Sequence, residues 1–275
     1  MLRTRLLTAI VLIPTVIYCI YLGALPFLAL VALLLTLAEI EFCQLMARDG
    51  FRTAPAFGLG LVWLFLVDAQ LGAQFPTLKL ELLRPGMALI MLGSLAWQLF
   101  HRQGSPVADW ALTVTGGLYL GMCGACVLRL RGLRDGLWWT LTVIPAIMLA
   151  DTGAFVVGRA WGRHKLAPTL SPGKTWEGYL AGVVIGGLLT ALLASLWRVA
   201  GAATVVSGIH GLVLGILIGT LAPLGDLAVS MIKRHVGVKD SGSVIPGHGG
   251  ALDRVDSILW AAVIGYYYVV ISGLG

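Results

Sequence analysis

The sequence predicts an all-α polytopic membrane protein with about nine transmembrane helices and a cytoplasmic amino terminus. Hydrophobic residues make up 58% of the 275 residues and the mean hydropathy is +0.91, values that water-soluble domains do not sustain. Several apolar runs approach the roughly 20 residues that a helix needs to cross a bilayer. Because lipid offers the backbone no hydrogen-bond partners, segments of this length should be helical.

Nine apolar spans can be placed in order along the chain. The first follows Arg3 and Arg5 and resembles a signal peptide, but its apolar run is long and no small-x-small cleavage site follows, so we interpret it as an anchor. The third span carries Asp68, and the fourth is short. The predicted spans cover residues 6–22, 25–46, 56–73, 86–101, 109–128, 136–158, 178–197, 205–232 and 255–274.

The distribution of Lys and Arg predicts the orientation of these spans. With nine spans, 13 of the 19 basic residues fall on the side of the amino terminus and 6 fall on the other side. The positive-inside rule therefore places the amino terminus in the cytoplasm, together with both polar loops of the second half, and the carboxyl terminus outside. The net charge of +6 reflects this asymmetry, so the expected partner is a bilayer with anionic headgroups and not a nucleic acid.

We expect a single integral membrane domain, 1–275, in which 1–135 supplies supporting helices and 136–275 supplies the catalytic helices and loops. The first half still contains intramembrane acids. Glu39 and Glu41 lie two residues apart, so a helix directs them about 200° apart, one toward the protein interior and the other toward the headgroups. A span end or an internal hydrogen bond is the alternative. Cys123 and Cys126 form a C-x-x-C inside a span, where helix packing is favoured over a zinc or redox site.

The first polar loop of the second half, 159–177, offers an anion site. Ser171, Lys174 and Thr175 place two hydroxyls around an ammonium, just before a predicted helix whose amino-terminal amides can face an anion. A P-loop is excluded because its first glycine would fall on Pro168. Pro172 and Gly173 predict a turn here. The alternative is an ordinary basic cytoplasmic loop.

The second polar region begins inside the eighth span. Asp226, Ser230 and Lys233 follow i, i+4, i+7 spacing, so a helix stacks them on one face with Arg234 beside them. An Asp–Lys pair would explain two of these residues. It would not explain the whole polar stripe.

The third feature is a pair of aspartates at the start of the ninth span. Asp253 and Asp256 are three residues apart, which places them on one helical face about 5–6 Å apart at Cβ. Two carboxylates this close require a proton, an arginine or a divalent cation between them. Residues 246–250 predict a glycine-rich turn in which His248, with Arg254 beyond it, can donate to phosphate oxygens. The alternative is a loop whose Asp253 merely caps the ninth helix.

Together these residues predict metal-assisted phosphoryl or nucleotidyl transfer at the cytoplasmic interface. Asp226, Asp253 and Asp256 supply hard oxygen ligands suited to Mg²⁺, and the chain has no Cys/His cluster that would suit zinc. The basic residues that can hold a polyphosphate are Lys174, Lys233, Arg234, Lys239 and Arg254.

The segment 230–256, which we call the signature segment, resembles the signature of the phosphatidate cytidylyltransferase (CDP-diacylglycerol synthase) family. Ala251 departs from it, because the family usually places a larger aliphatic residue there. The segment 170–178 also resembles the family's second conserved loop. The matching positions are Ser230, Ile232, Lys233, Arg234, Lys239, Asp240, Gly242, Ile245, Pro246, His248, Gly249, Gly250, Asp253, Arg254, Val255 and Asp256.

The resemblance implies that CTP and phosphatidate are converted to CDP-diacylglycerol and pyrophosphate. It also implies that Asp226, Asp253 and Asp256 hold Mg²⁺, with K⁺ near the same acids, and that the protein is a homodimer in the plasma (inner) membrane with its active site facing the cytoplasm. Lys233 and Arg254 would act in catalysis. The implied substrate-binding residues are Ser171, Lys174, Thr175, Ser230, Arg234, Lys239, Asp240, His248, Gly249 and Gly250.

Two other functions are alternatives to this one. A CDP-alcohol phosphatidyltransferase would carry D-G-x2-A-R followed by G-x3-D-x3-D, and that pattern is absent. An ion-coupled transporter could use the intramembrane acids Glu39, Asp68, Asp151 and Asp226 as a pathway. Transporters place such groups near the midplane, whereas the charge here concentrates at the cytoplasmic ends of the spans.

Overall fold

The computed structural model describes residues 2–75, 81–101, 104–244 and 249–275. In this part of the chain the fold consists of ten helices and one short hairpin. The elements in order are α1 (Leu2–Leu22), α2 (Ala24–Arg48), α3 (Pro55–Gln74), α4 (Leu83–Phe100), α5 (Pro106–Gly132), α6 (Gly136–Trp161), β1 (Lys165–Ala167), β2 (Ser171–Thr175), α7 (Trp176–Val199), α8 (Gly208–Leu221), α9 (Pro223–His235) and α10 (Leu252–Ile271).

The helices confirm the prediction of an all-α polytopic membrane protein. Within the described residues, eight segments are long and apolar enough to cross a bilayer, and Ile10–Leu22 adds a shorter apolar helix. Each corresponds to one of the nine predicted spans. The eighth predicted span is interrupted, because α8 ends at Leu221 and α9 begins at Pro223. Proline lacks an amide hydrogen and suits the first position of a helix, so the break at Pro223 follows from its chemistry.

The hairpin was not predicted. β1 and β2 pair antiparallel, with Lys165 opposite Thr175 and Ala167 opposite Ser171. The predicted turn at Pro172 and Gly173 is wrong, since both residues lie inside β2 and the turn occupies residues 168–170. The hairpin leads directly into α7.

The chain divides into two compact units. Unit 1 contains Met1–Arg129 and Ile232–Val255, and unit 2 contains Leu130–Met231 and Asp256–Gly275. The three boundaries fall within α5, α9 and α10. Unit 1 therefore combines the amino-terminal helices with most of the signature segment. The single membrane domain with a supporting first half stays a prediction.

Small residues set the packing distance in each unit. In unit 2, a Cβ on Gly186 would meet Ala150, and a Cβ on Gly215 would meet the Gly186 carbonyl, so α6, α7 and α8 approach closely at glycine. The core beside these contacts is apolar and contains Trp139 and Leu214. In unit 1, Gly124 packs against Leu35 and Leu66. Cys123 and Cys126 are free thiols on either side of Gly124, and their role in helix packing stays a prediction.

The three intramembrane acids of the first half, Glu39, Glu41 and Asp68, have partners or close neighbours in unit 1. Asp68 pairs with Arg129 at 2.7 Å. Glu39 and Glu41 are both buried, so the prediction that one of them faces the headgroups is wrong. Their opposite directions on α2 are confirmed: Glu39 lies against Gly58 and Gly116, and Glu41 accepts hydrogen bonds from residues 241, 251 and 252.

Asp135 joins two segments of unit 2 outside the spans. One of its oxygens, Oδ2, accepts from the amides of Thr204 and Val205 at 2.6 and 2.7 Å and from the Thr204 hydroxyl at 3.0 Å. Partial burial acts to raise the pKa of Asp135, but these bonds and the nearby Arg134 together hold the pKa below its ordinary value. Asp135 also adopts a left-handed backbone conformation, with φ of 54°, which Asn tolerates as well as Asp.

We expect Asp135→Asn to lower thermal stability at neutral pH and to do so less as the solution is acidified. A carboxylate with a lowered folded pKa stabilises the fold above its unfolded pKa of about 3.9, and this stabilisation is lost as the pH falls through the folded pKa. Thermal unfolding of both proteins in detergent, from about pH 7 to about pH 3, measures the difference. An equal difference at every pH would show that the charge of Asp135 contributes nothing.

Candidate active site

The predicted site residues fall into two clusters, one in each unit. The first surrounds a cavity of about 540 Å³ in unit 2, which we call the hairpin cavity. α6, the hairpin, the start of α7 and the junction of α8 and α9 line it. Its polar lining side chains are Asp151, Arg159, Ser171, Lys174, Thr175, Tyr179 and Asp226.

A lysine–aspartate pair stands at the hairpin cavity. The ammonium of Lys174 lies 2.5 Å from Oδ2 of Asp226, and the two side chains are 27% and 34% exposed. Strand β2 presents the lysine, and the first turn of α9 presents the aspartate. Because water reaches both groups, the pair contributes little to stability, and its charges are accessible to a ligand that enters the cavity.

The predicted hydroxyls have different surroundings. Ser171 lines the cavity and is partly exposed. Thr175 is buried and its hydroxyl caps α7 by accepting the amide of Gly178 at 3.2 Å. The cap fixes the direction in which the hairpin enters α7. Glu177 strengthens this entry, because its carboxylate accepts the amides of Arg163 and His164 before β1.

Asp151 and Arg159 line the same cavity and were not among the predicted site residues. Asp151 was considered only in the transporter alternative. The sequence feature that could have indicated Asp151 as a site residue is its position in an apolar span, where a carboxylate usually faces a partner or a water-filled cavity. Its presence near the Lys174–Asp226 pair could not be read from the sequence, because these residues come from three separate elements.

The second cluster lies in unit 1 and is built around Asp253. Oδ1 accepts from the Lys233 ammonium at 2.6 Å, and the two side chains are only 6% and 8% exposed. Oδ2 accepts the amides of Ser241 and Gly250 at 2.8 and 3.1 Å. The Ser241 hydroxyl lies 3.0 Å from the same oxygen, but its single proton is shared with Glu41 at 2.7 Å. Three donors, the Lys233 ammonium and the two amides, therefore fix the carboxylate at the start of α10. A side chain that merely caps its own helix would not need a buried lysine as well.

The glycines of the signature segment make room around Asp253. Gly249 has a positive φ of 80°, and a Cβ there would lie 3.1 Å from Oδ2 of Asp253 and 3.7 Å from Oδ1 of Asp240. A larger residue at this position would be strained by its backbone and would crowd both carboxylates. Gly250 donates its amide to Asp253.

The remaining predicted residues of unit 1 are exposed. Arg234, Lys239, Asp240 and Arg254 all reach solvent, and Nη1 of Arg234 donates to the Val238 carbonyl at 3.0 Å. The three basic side chains are therefore accessible to a polyanion. His248, which was predicted as a phosphate donor, lies outside the described residues.

The polar stripe predicted in the eighth span is formed in part. The Ser230 hydroxyl donates to Oδ1 of Asp226 at 3.4 Å in unit 2. Lys233 does not complete the stripe, since it pairs with Asp253 in the first turn of α10. The spacing of residues within one helix could not indicate this partner. Asp256 is buried in unit 2, where it accepts the amide of Ser257.

The acids of the two clusters are the candidate magnesium ligands. In the ranges that the structure describes, no three His, Cys, Asp or Glu side chains are arranged to hold a metal ion. Mg²⁺ usually takes one or two carboxylates together with substrate phosphates, so a complete protein cage is not required. The carboxylates of Asp226 and Asp253 have the right donor chemistry, and each has a lysine beside it that can bind phosphate. Binding of Mg²⁺ stays a prediction.

Comparison with known proteins gives a consistent result along the whole chain. A sequence model of the cytidylyltransferase family matches residues 3–272. The phosphatidate cytidylyltransferase of Haemophilus influenzae is 35% identical over 292 residues, which cover 98% of this chain and 99% of the relative. Those of Synechocystis and Bacillus subtilis are 32% and 28% identical, and the matches cover 97% and 98% of this chain and 96% and 98% of the relatives.

Proposed function

The chain belongs to the cytidylyltransferase family, and on that premise we propose that it is a phosphatidate cytidylyltransferase that makes CDP-diacylglycerol and pyrophosphate from CTP and phosphatidate. The observation that carries this proposal is the end-to-end match to relatives that share this one name, at up to 35% identity. The two lysine–aspartate pairs support it, since phosphate transfer needs cations beside metal-binding acids. None of these three relatives is named as a transporter.

The proposed reaction is an in-line displacement at phosphorus. An oxygen of the phosphatidate phosphate bonds to the α-phosphorus of CTP, the bond from that phosphorus to the oxygen bridging to the β-phosphate breaks, and pyrophosphate leaves with its electron pair. Phosphatidate is already an anion, so the reaction needs no strong general base. Catalysis then consists of positioning and charge stabilisation.

In the proposed reaction each of the two pairs would hold an ammonium group for phosphate. Lys174 and Lys233 each lie within 2.6 Å of a carboxylate, which holds the ammonium in place before substrate enters. A polyphosphate would compete with Asp226 and Asp253 for these ammonium groups. Arg234, Lys239 and Arg254 are exposed and would bind other phosphate oxygens of CTP or the phosphatidate headgroup.

We assign the divalent cation to the same acids. Asp226, Asp253 and Asp256 would hold Mg²⁺, with K⁺ nearby, and the metal would supply neutralisation of the charge that develops on the phosphates. Ser171 lies in the hairpin cavity and would donate to an anion there. Thr175 would contribute chiefly by capping α7.

The protein is a multi-pass membrane protein, and its proposed location is the plasma (inner) membrane with the active site facing the cytoplasm, where CTP is found. The excess of Lys and Arg on that side supports this orientation. The acyl chains of phosphatidate would remain in lipid while the phosphate headgroup reaches the charged side chains of the site. A homodimer is part of the proposal and follows only from the family resemblance.

The test is formation of CDP-diacylglycerol by detergent-purified protein supplied with CTP and phosphatidate, with Mg²⁺ or with EDTA. We expect product only when both substrates and the metal are present. Well-folded protein that makes no product across several acyl chains, with K⁺ added, would contradict the proposed function. Equal turnover in EDTA would contradict the metal assignment alone.

A further inference from the structure

Glu41 lies on α2, far along the chain from the signature segment, yet its carboxylate is bound by that segment. Oε1 accepts the amide of Ala251 at 3.0 Å, and Oε2 accepts the amide of Leu252 at 2.9 Å and the Ser241 hydroxyl at 2.7 Å. Glu41 is only 2% exposed, and all of these residues belong to unit 1. We propose that Glu41 is a positioning residue that holds the signature segment, and Asp253 within it, in the catalytic arrangement.

The contacts explain why a carboxylate is needed at this position. α10 begins at Leu252, so the amides of Ala251 and Leu252 are among the donors that a helix leaves unpaired at its amino terminus. A capping side chain normally comes from the adjacent residues, whereas here the acceptor comes from a different helix. The negative charge is also favourable beside the positive end of the α10 dipole. Glu41 thus fastens the start of α10 to α2.

Ser241 carries this restraint to Asp253. Its hydroxyl lies 2.7 Å from Oε2 of Glu41 and 3.0 Å from Oδ2 of Asp253, while its amide donates to the same Asp253 oxygen at 2.8 Å. The hydroxyl has one proton for the two carboxylates and lies closer to Glu41, while the amide of the same residue fixes the side-chain direction of Asp253. Asp253 in turn holds the ammonium of Lys233. The chain of contacts therefore runs from α2 to two predicted catalytic groups.

Two glycines of the signature segment are explained by the same carboxylate. A Cβ on Gly242 would collide with Oε1 of Glu41, and a Cβ on Gly250 would collide with Oε2 of Glu41 and with the Ser241 hydroxyl. Any larger residue would push the carboxylate away from its donors. Glycine at these two positions is thus required by Glu41 and not only by the backbone of the turn.

The first test compares Glu41→Gln with Glu39→Gln. Glutamine replaces one of the two carboxylate oxygens with an NH2 group, which cannot accept a hydrogen bond from the donors on that side. We therefore expect Glu41→Gln to lower kcat/KM for CTP by about 10- to 100-fold, with a raised KM for CTP. A merely structural role would reduce the amount of active enzyme and leave KM unchanged. Glu39 is equally buried on the same helix but contacts Gly58 and Gly116, so Glu39→Gln should keep the wild-type KM. An equal rise of KM in both variants would overturn the proposal.

A second variant reaches the same contacts from the other side. Gly242→Ala leaves Glu41 in place but displaces its carboxylate, so we expect the same rise in KM for CTP as in Glu41→Gln. Because both changes break one set of bonds, the double variant should be no worse than the more impaired single variant. Additive losses in the double variant would overturn the proposal.

The kinetic tests rest on the proposed function, and hydrogen exchange does not. In Glu41→Gln the amides of Ala251 and Leu252 lose their acceptors, so peptides that contain them should exchange faster by about 10-fold or more, while the rest of unit 1 keeps its protection. Unchanged exchange would overturn the proposal even if the enzyme is inactive. Failure of the wild-type protein to make CDP-diacylglycerol would overturn the proposed function and leave this result standing.

Discussion

Asp253→Asn is expected to lower the turnover of CTP by roughly 100-fold or more, because it removes a carboxylate assigned to hold the Mg²⁺ that would neutralise the charge developing on the transferred phosphate. It should also lower the stability of the protein. Asp253 and Lys233 are 6% and 8% exposed, and removing one member of a buried pair leaves the other charge uncompensated, at a cost of about 3–5 kcal/mol. Initial rates and thermal unfolding in detergent measure the two effects.

The double variant Lys233→Met, Asp253→Asn separates these effects. With both charges removed, no unpaired charge is buried, so stability should return toward that of the wild-type protein. Activity should not return, since both groups are assigned to the phosphates and their metal. Recovery of turnover together with stability would show that Asp253 serves only to neutralise Lys233.

Asp226→Asn is expected to lower turnover by a similar factor, roughly 100-fold, without a comparable loss of stability. Asp226 and Lys174 are 34% and 27% exposed, and an ion pair that water reaches contributes only about 0–1 kcal/mol. The variant should therefore insert into the membrane, purify and unfold like the wild-type protein. Turnover and thermal unfolding are measured on one preparation.

Asp68→Asn is the matched control for Asp226→Asn. Asp68 pairs with Arg129 at 2.7 Å, and the two side chains are 20% and 34% exposed, so the change removes a carboxylate of similar accessibility from another helix. We expect wild-type turnover in this variant. Near-normal turnover in Asp226→Asn, or an equal loss in both variants, would defeat the assignment of Asp226 to the site.

The helices were predictable because lipid imposes a simple rule on the backbone. A span needs about 20 apolar residues, and these can be counted in the sequence. Every peptide group of the span must be hydrogen-bonded internally, which makes the span a helix. The break between α8 and α9 was missed because the surrounding residues are apolar on both sides, and only Pro223 marks it. The hairpin was missed because Pro172 and Gly173 are more common in turns than in a strand.

The site was predictable in its residue types and only in part in its pairing. Helix spacing correctly aligned Ser230 with Asp226, but it could not show that Lys233 turns to Asp253 or that Lys174 reaches Asp226. Both pairs join elements that are distant in sequence. Glu41 illustrates the same limit: its charge in an apolar span indicated a buried partner, and only the folded chain shows that the partner is the signature segment.

The most direct test of the proposed reaction is to supply the purified protein with phosphatidate and CTP radiolabelled at either the α- or the γ-phosphate. Attack at the α-phosphorus predicts that label from the α-position enters lipid while label from the γ-position leaves as pyrophosphate, in equal amounts. Transfer of the γ-label to lipid, or release of pyrophosphate without labelled lipid, would contradict the proposed cytidylyl transfer.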